Sequence, residues 1–403
     1  MTDAKAYATV TAAYWGFTLT DGALRMLVLL HFHGLGYSPF DIALLFLLYE
    51  VMGVVTNLLG GWLGARLGLR ITLFAGLTVQ IVALSALSLV DQTWTVGLSV
   101  AYVMGVQALS GVAKDLTKMS SKSAVKLVAG EESSVLFKWV AVLTGSKNAL
   151  KGVGFFLGGL LLTLLGYQMA LLSMAGALVV VLAICLAVLT HDLGKAKRKV
   201  KMKHLFSKSR EINLLSAARV FLFCARDVWF VVGVPLFLSA EMGWGFTAVS
   251  TFMALWVIGY GFVQAGAPKF MRGVGGGADS AGAARNWAFG LAILPAGIAL
   301  GLAAGFDPAI ILLGGLGLFG AVFAVNSALH SYLILAYARQ DGVALDVGFY
   351  YMANAVGRLA GTFASGIAYQ TGGLAACLWL SAGLVILSAI FAVFLSRPSS
   401  SSV

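Results

Sequence analysis

Charged residues are scarce in this sequence. Lys, Arg, Asp and Glu make up 11% of its 403 residues, whereas 60% are hydrophobic. An average soluble protein has about 25% charged residues. With a mean hydropathy of +0.93, the composition excludes an ordinary soluble protein and predicts many membrane-spanning helices.

Cysteine and proline are also rare. Six prolines against 49 glycines favour uninterrupted helices that pack closely in lipid. The three cysteines, Cys185, Cys224 and Cys377, form no CxxC pair and no metal spacing. No stretch has the charged start, short apolar run and small-residue cleavage site of a signal peptide, so we expect none to be removed. We therefore expect a membrane protein without a metal site or a cofactor.

Several functional motifs are missing as well. The nucleotide-binding pattern GxxxxGK[ST] does not occur, so ATP is not expected to drive the protein. No acid/base or metal constellation marks a membrane enzyme such as a lipid phosphotransferase, so we do not expect an enzyme. The net charge of +11 comes from residues beside apolar runs, so nucleic-acid binding is not expected either.

The apolar runs predict twelve membrane spans. A span needs about 20 residues, and turn signals such as "GYSP" (36–39), "LGYQ" (165–168), "GFDP" (305–308) and "QTGG" (370–373) separate the runs. The predicted spans are 10–34, 41–65, 71–90, 94–116, 134–165, 168–190, 211–240, 247–271, 284–305, 309–338, 345–370 and 373–396.

Basic residues are confined to alternate connectors. Connectors such as 91–93 and 241–246 contain no Lys or Arg, whereas 191–210 contains eight. Positively charged loops stay in the cytoplasm. The charge pattern predicts a multi-pass membrane protein with both termini cytoplasmic, and we expect it in the bacterial inner membrane.

The long basic connector divides the chain into similar halves. We predict an N-terminal six-helix bundle at 1–190, a cytoplasmic linker at 191–210 and a C-terminal six-helix bundle at 211–403. "GLGYSPFDIALLF" resembles "EMGWGFTAVSTFM" at a shift of 207 residues, and "NALKG" resembles "NAVGR" at a shift of 206. Duplicated six-helix halves are typical of the major facilitator fold, in which ligands bind near the bilayer midplane.

A loop after the second predicted span supports this fold. "GWLGARLGLR" (61–70) resembles the facilitator motif G-x-x-x-D-R-x-G-x-R. Its matching residues are Gly61, Arg66, Gly68 and Arg70. Ala65 occupies the position that is usually acidic. The fold prediction is unaffected, but the usual charge-relay role of this loop is not expected.

Eight charged residues lie near the middle of predicted spans. Because a charge at bilayer depth costs a few kcal/mol, each needs a partner or a function. Lys147 and Lys151 share one helix face because they lie four residues apart. The cations are Arg25, Lys147, Lys151, Arg226 and Arg358, and the carboxylates are Asp21, Glu50 and Asp227.

Ion pairing alone does not account for these cations. Asp21 and Arg25 can pair across one helical turn, whereas the neighbours Arg226 and Asp227 are not expected to face each other. If every carboxylate is paired, two cations remain. Uncompensated charge is unstable in a low dielectric, so the surplus predicts a cationic central cavity. Arginine and lysine together suit a multiply charged oxyanion.

Other polar residues extend this hypothesis. Asn326 and His330 in the tenth predicted span could donate to the ligand or bond between helices. Lys114, Lys118 and Lys122 follow one another at four-residue steps towards the cytoplasm. This row is either ordinary cytoplasmic charge or a funnel that gathers anions at the inner mouth.

Four stretches resemble one family across nearly the whole chain. "TLTDGALRMLVLLHFHGLGYSP", "ALSGVAKDLTKMSSKSAVK", "KWVAVLTGSKNALKGVGFFLGG" and "LSAARVFLFCARDVWFVVGVP" are similar to the ArsJ-type organoarsenical efflux permeases of the major facilitator superfamily. The resemblance implies export of 1-arseno-3-phosphoglycerate and arsenate resistance. It also implies a functional link to a glyceraldehyde-3-phosphate dehydrogenase, which makes this ester in the cytoplasm.

The residues leave alternatives open. An antiporter of an ordinary phosphorylated organic acid would use the same cations, and a membrane-embedded solute sensor would bind without transport. Asp21, Glu50 and Asp227 are candidates for proton coupling, while exchange with external phosphate is equally compatible. We expect a monomer that works by alternating access.

Overall fold

The computed structural model describes residues 3–67, 69–129, 133–189, 209–271, 280–338 and 343–396. Within these ranges the regular secondary structure is helical and contains no β-strand. The helices are α1 (Asp3–Gly34), α2 (Pro39–Leu45), α3 (Leu47–Leu67), α4 (Leu69–Leu87), α5 (Val96–Ala129), α6 (Ser133–Val188), α7 (Arg210–Phe230), α8 (Gly233–Ala240), α9 (Phe246–Met271), α10 (Ser280–Ala303), α11 (Pro308–Tyr337) and α12 (Val343–Val393).

Nine helical stretches in the described ranges are long and apolar enough to cross a membrane. Two of them, Lys147–Val188 and Asp346–Val393, have 42 and 48 residues, about twice the length that one span needs. α2 and α3 together form one stretch, and α7 and α8 form another. α1, which carries Asp21 and Arg25, is not among the nine. This architecture is consistent with the twelve predicted spans.

Glycine breaks both of the longest helices. Gly166 in α6 has φ 70° and ψ 177°, and Gly373 in α12 has φ 61°. Positive φ is open to glycine at little cost but strains other residues. These breaks fall inside the predicted turn signals "LGYQ" and "QTGG". Each long helix therefore consists of two helical segments joined at a turn.

Side-chain caps mark the start of two helices. Ser209 begins α7, where its Oγ accepts a hydrogen bond from the Ile212 backbone N at 3.3 Å. Asp307 begins α11 and accepts from the backbone N of Ala309 at 2.8 Å. Pro308 follows at the first helical position, where its missing N–H is not needed. The predicted break at "GFDP" is thus also the N-terminal cap of α11.

The described residues fall into two compact units. The N-terminal unit comprises Met1–Tyr37, Leu44–Lys201 and Trp244–Ile258, and the C-terminal unit comprises Ser38–Ala43, Met202–Gly243 and Gly259–Val403. The domain boundaries drawn from the sequence stay a prediction. All but the last two residues of the predicted linker 191–210 lie outside the described residues.

In the N-terminal unit, α1 packs against α6, and α3 and α4 pack against α5. The close approach of α1 to α6 depends on glycine at position 158. A Cβ at this position would collide with the backbone carbonyl oxygen of Ala23. Small residues allow such contacts between membrane helices.

Gly158→Ala is therefore expected to destabilise the protein by about 1–3 kcal/mol, the usual range for overpacking. Gly176→Ala in the same helix is the matched control, because a Cβ there meets nothing within 4 Å. Thermal unfolding in detergent, followed by tryptophan fluorescence, compares the two variants. Equal unfolding midpoints would show that α1 and α6 do not approach as closely as described.

In the C-terminal unit, α12 packs along α7 and against α10. A glycine again allows two helices to approach closely, since a Cβ on Gly357 would collide with the Val220 carbonyl oxygen. Two serines of α12 also bond to the backbone of α7. Ser381 Oγ donates to the Ala225 carbonyl at 2.7 Å, and Ser388 Oγ donates to the Ala218 carbonyl at 2.8 Å. These contacts hold α7, which carries three arginine residues of its own, firmly beside α12.

Candidate functional site

A small pocket in the N-terminal unit brings together several of the predicted site residues. It lies among residues of α1, α3, α5 and α6 and of the turn between α2 and α3. The lining residues are Asp21, Leu24, Arg25, Phe46, Tyr49, Gln107 and Lys151. Two cations, one carboxylate and two aromatic rings thus share one enclosure. Lys147, which is half-buried one turn before Lys151, does not line this pocket.

Arg25 pairs with Glu50. Its Nη2 lies 3.0 Å from Glu50 Oε1, and Glu50 is only 1% exposed. The Arg25 guanidinium also lies over the ring of Phe46, 5.3 Å from the ring centroid. Asp21, which could have paired with Arg25 across one turn, instead accepts a hydrogen bond from the Tyr49 hydroxyl at 2.6 Å. The acid and the base share a helix face, as predicted, but each has its partner on α3.

Lys151 lies in the same pocket on α6. Its Nζ is 5.6 Å from the centroid of the Phe155 ring. Aromatic faces attract cations and exclude water, which strengthens the field that the cation presents to a ligand. The pocket therefore holds two cations among aromatic rings, with the Asp21 carboxylate in the lining and Glu50 paired to Arg25.

A second charged cluster lies in the C-terminal unit around Asp227, which is fully buried. Arg226 Nε donates to Asp227 Oδ1 at 2.6 Å, and Arg358 Nε lies 3.5 Å from Oδ2. The prediction that Arg226 and Asp227 do not face each other is wrong. The long, flexible arginine side chain lets its guanidinium reach the neighbouring carboxylate. One carboxylate therefore serves two arginines, and the cluster keeps a positive charge.

Aromatic rings surround Arg226. Its guanidinium lies 4.8 Å from the Phe223 centroid, and 5.6 Å from the centroids of both Phe230 and Phe323. The Phe323 ring also contacts Tyr260. As in the N-terminal unit, an arginine and a carboxylate are embedded among aromatic side chains.

Asn326 and His330 lie on α11 in the same unit, and both are fully buried. Asn326 Nδ2 donates to the Ala284 carbonyl at 3.2 Å, so this amide links α11 to α10. His330 lies one helical turn after Ser327, whose hydroxyl accepts a hydrogen bond from Arg219 at 3.0 Å. Asn326 therefore bonds between helices, which is one of the two roles that the sequence left open for it. Arg219, which binds the serine one turn before His330, was not among the predicted site residues.

The predicted lysine row is described only in part. Lys114 Nζ lies over the ring of Tyr49, 4.0 Å from its centroid. Lys118 Nζ donates to Asn57 Oδ1 at 3.0 Å and to Asp115 Oδ1 at 3.3 Å. The side chain of Lys122 lies outside the described residues. Lys114 and Lys118 are thus engaged with groups of the N-terminal unit, and the funnel stays a prediction.

The loop motif lies largely outside what the structure describes in side-chain detail. Gly61 and Arg66 lie in α3, and Arg70 lies at the start of α4. The Arg70 guanidinium is 5.3 Å from the Phe74 ring centroid. Gly68 is outside the described residues, so the function of this motif stays a prediction.

Sequence reasoning missed several residues of the N-terminal unit. Asp115 is buried beside Lys118 and accepts a hydrogen bond from Thr56. Tyr49 and Gln107 line the pocket. The signal for Asp115 and Gln107 was present, since both are polar residues in an otherwise apolar predicted span. Tyr49 gave no such signal because tyrosine is common in membrane helices.

The described residues contain no group of three or more His, Cys, Asp or Glu side chains that could hold a metal ion. Cys185, Cys224 and Cys377 are buried free thiols, and they lie on three different helical segments. The described chemistry is instead that of buried cations, which bind anions through charge and through N–H donors.

An all-helical chain with several spanning helices and buried cations has the features of a membrane transporter. Residues 7–278 match the family model described as Major Facilitator Superfamily, so the chain belongs to that family. The predicted fold class is thereby confirmed, and the protein is a multi-pass membrane transporter. Members of this family move solutes and are not generally enzymes.

One solved structure supports the fold over nearly the full length. It comes from work on substrate recognition in proton-dependent oligopeptide transporters, and it matches with a TM-score of 0.70 over 97% of each chain. The sequence identity is 16%, so this match concerns the fold alone. None of the curated proteins compared with the chain matches it.

Proposed function

We propose that this transporter exports a multiply charged organic oxyanion, and specifically 1-arseno-3-phosphoglycerate. The observation that carries the proposal is the pocket of the N-terminal unit, where Arg25 and Lys151 lie together among aromatic side chains. Arginine offers paired N–H donors that match phosphate, arsenate and carboxylate oxygens, and lysine adds a compact charge. A carrier of cationic drugs needs the opposite sign of charge.

The arsenate ester fits this residue chemistry. It carries a phosphate group and an arsenate group, and pentavalent arsenic binds cations and hydrogen-bond donors as phosphate does. Trivalent arsenic binds thiolates instead, and the three cysteines of the sequence are dispersed. The resemblance to the ArsJ-type permeases supports the same cargo. We propose that a glyceraldehyde-3-phosphate dehydrogenase supplies the ester in the cytoplasm of a bacterial cell.

The working cycle is proposed as alternating access in a monomer whose two termini are cytoplasmic. Binding of the anion reduces the repulsion among the buried cations, which favours the closed arrangement that moves the cargo. Asp21, Glu50 and Asp227 are the candidate carboxylates for proton coupling. Of these, Glu50 is the one bonded to a pocket cation, Arg25, so cargo and carboxylate would compete for the same guanidinium.

An antiporter of an ordinary phosphorylated organic acid remains the second candidate. The same cations favour it, because a phosphate ester presents similar oxygens and charge. A solute sensor is the third, and it would bind without net movement of the ligand.

Growth on arsenate tests the proposal in cells. An arsenate-sensitive bacterial host that produces both this protein and the dehydrogenase is expected to tolerate more arsenate than a host with the dehydrogenase alone. The same pair should give no added tolerance to arsenite. Equal arsenate tolerance with and without the transporter, at a verified protein level, would contradict the proposed cargo.

A further inference from the structure

Arg219 on α7 is a buried cation with neutral partners. It is 4% exposed. Its Nε donates to Asn354 Oδ1 at 3.0 Å, and its Nη1 donates to Ser327 Oγ at 3.0 Å and to the Ser327 carbonyl at 3.2 Å. Among the described residues no carboxylate lies within ion-pair distance of it. Its guanidinium also lies over the Phe223 ring, 4.0 Å from the centroid.

This arrangement sets Arg219 apart from the other described arginines in the middle of the spans. Arg25 has Glu50, and both Arg226 and Arg358 have Asp227. A buried charge without a counter-charge carries a large desolvation penalty. Neutral hydrogen-bond acceptors offset part of that penalty, and an anionic ligand would offset the rest.

His330 supplies a second, independent observation. It is fully buried, and neither of its ring nitrogens has a hydrogen-bond partner among the described residues. Buried polar side chains are normally hydrogen-bonded, and each exception needs an explanation. His330 lies one helical turn after Ser327 on the same face of α11, and the Ser327 hydroxyl accepts a hydrogen bond from Arg219. Among the described residues, an imidazole without a hydrogen-bond partner thus lies one helical turn from the serine that binds a guanidinium without a counter-charge.

The bonds around Ser327 fix the guanidinium in place. Gln264 Nε2 donates to Ser327 Oγ at 3.3 Å, and the Ser331 hydroxyl donates to the Ser327 carbonyl at 2.9 Å. All these residues belong to the C-terminal unit. Preorganised donors bind an anion more strongly than mobile ones because little ordering is needed on binding.

We infer that Arg219 and His330 form an oxyanion subsite of the C-terminal unit, which binds one phosphate, arsenate or carboxylate group of the cargo. The guanidinium supplies charge and N–H donors, and the imidazole supplies one further donor. The guanidiniums of Arg219 and Arg226 both lie against the Phe223 ring, so the subsite adjoins the Arg226–Asp227–Arg358 cluster, but Arg219 has its own neutral partners in Asn354 and Ser327. The inference rests on the proposed function for the identity of the cargo, but not for the binding of an oxyanion group.

Ligand-dependent thermal stability of the purified full-length protein tests the subsite. The probes are inorganic phosphate, 3-phosphoglycerate and acetate, each titrated against wild type, Arg219→Gln and His330→Gln. We expect Arg219→Gln to weaken binding of 3-phosphoglycerate at least tenfold, the loss typical of one charged hydrogen bond. His330→Gln should weaken it less. A response to phosphate but not to acetate would assign the subsite to a phosphate or arsenate group, and the converse would assign it to a carboxylate.

Arg285→Gln is the matched control. Arg285 lies in the same unit and donates from Nε to Asn286 Oδ1 at 3.0 Å, so the variant also removes an arginine–asparagine bond. A purely structural role for Arg219 predicts a lower melting temperature without ligand and an unchanged dissociation constant, which would overturn the inference. If Arg219→Gln does not fold, Arg219→Lys and His330→Gln give the same comparison. Absence of any response to all three probes in wild type would also overturn it.

The subsite and the proposed cargo can fail separately. Transport of arsenic only as the ester, together with 3-phosphoglycerate binding unchanged in Arg219→Gln, would retain the proposed function and refute the subsite. Weaker binding in Arg219→Gln, together with no arsenic transport by wild type, would retain the subsite and refute the cargo.

Discussion

Lys151→Ala is expected to reduce arsenic transport about 100-fold, which corresponds to about 2.8 kcal/mol of lost binding free energy. Lys151 lines the pocket that also contains Arg25. Removal of one charged group from a dehydrated site typically costs about 2–5 kcal/mol. The initial rate of arsenic uptake into everted membrane vesicles, divided by the amount of transporter, measures the effect.

Two further variants separate charge from packing. Lys151→Arg keeps the charge and should retain part of the activity, whereas Arg285→Ala removes a cation outside the pocket and should leave the rate unchanged. Lys147→Ala is also expected to abolish transport if both lysines serve the anion. Wild-type rates in Lys151→Ala and Lys147→Ala, at equal protein levels, would refute a role for these lysines in binding.

Asp227→Asn is expected to destabilise the protein by about 3–5 kcal/mol, the usual effect of breaking a buried ion pair. Asp227 is fully buried and bonds to two arginines. Its neutralisation leaves the charges of Arg226 and Arg358 without their carboxylate. The free energy of unfolding in denaturant, measured in a fixed detergent, gives the size of the loss.

Asp307→Asn is the control for this variant. Asp307 caps α11 from an exposed position, and asparagine caps helices about as well as aspartate. The double variant Asp227→Asn, Arg358→Gln should recover part of the lost stability, because it removes one of the stranded charges. If Asp227→Asn unfolds at the same denaturant concentration as Asp307→Asn, the described cluster does not contribute to stability.

The architecture was largely predictable because hydropathy and turn residues are local signals. The predicted turn signals contain Gly166 and Gly373, where α6 and α12 break. α1 contains the predicted span 10–34 but is not among the nine apolar stretches, because it also carries polar residues. Those same polar residues, Asp21 and Arg25, line the pocket of the N-terminal unit.

The pairing of charges was not predictable to the same extent. Helical spacing correctly placed Asp21 and Arg25 on one face, but their partners Tyr49 and Glu50 come from another helix. Arg226 reaches its own neighbour because side-chain flexibility overrides the angular separation of adjacent residues on a helix. The partner of each charged side chain depends on how the helices pack. Helical spacing within one sequence does not give the distances between side chains on different helices.

Residues whose role depends on their tertiary contacts were the hardest to assign to a site from the sequence. Arg219 has no distinguishing neighbour in the sequence, and its significance comes from the neutral partners that tertiary packing gives it. His330 was singled out as a polar residue in an apolar span, but its unpartnered ring nitrogens become informative only because Ser327, one turn earlier, binds that arginine.

Arsenic uptake into everted vesicles tests the central claim most directly. The complete mixture contains arsenate, glyceraldehyde 3-phosphate, NAD and the dehydrogenase, and each component is then omitted in turn. The proposed function predicts uptake with the complete mixture only, and none in vesicles without the transporter. Uptake of bare arsenate, or transport of 3-phosphoglycerate alone at the same rate, would contradict it and identify a general carrier of phosphate-like anions.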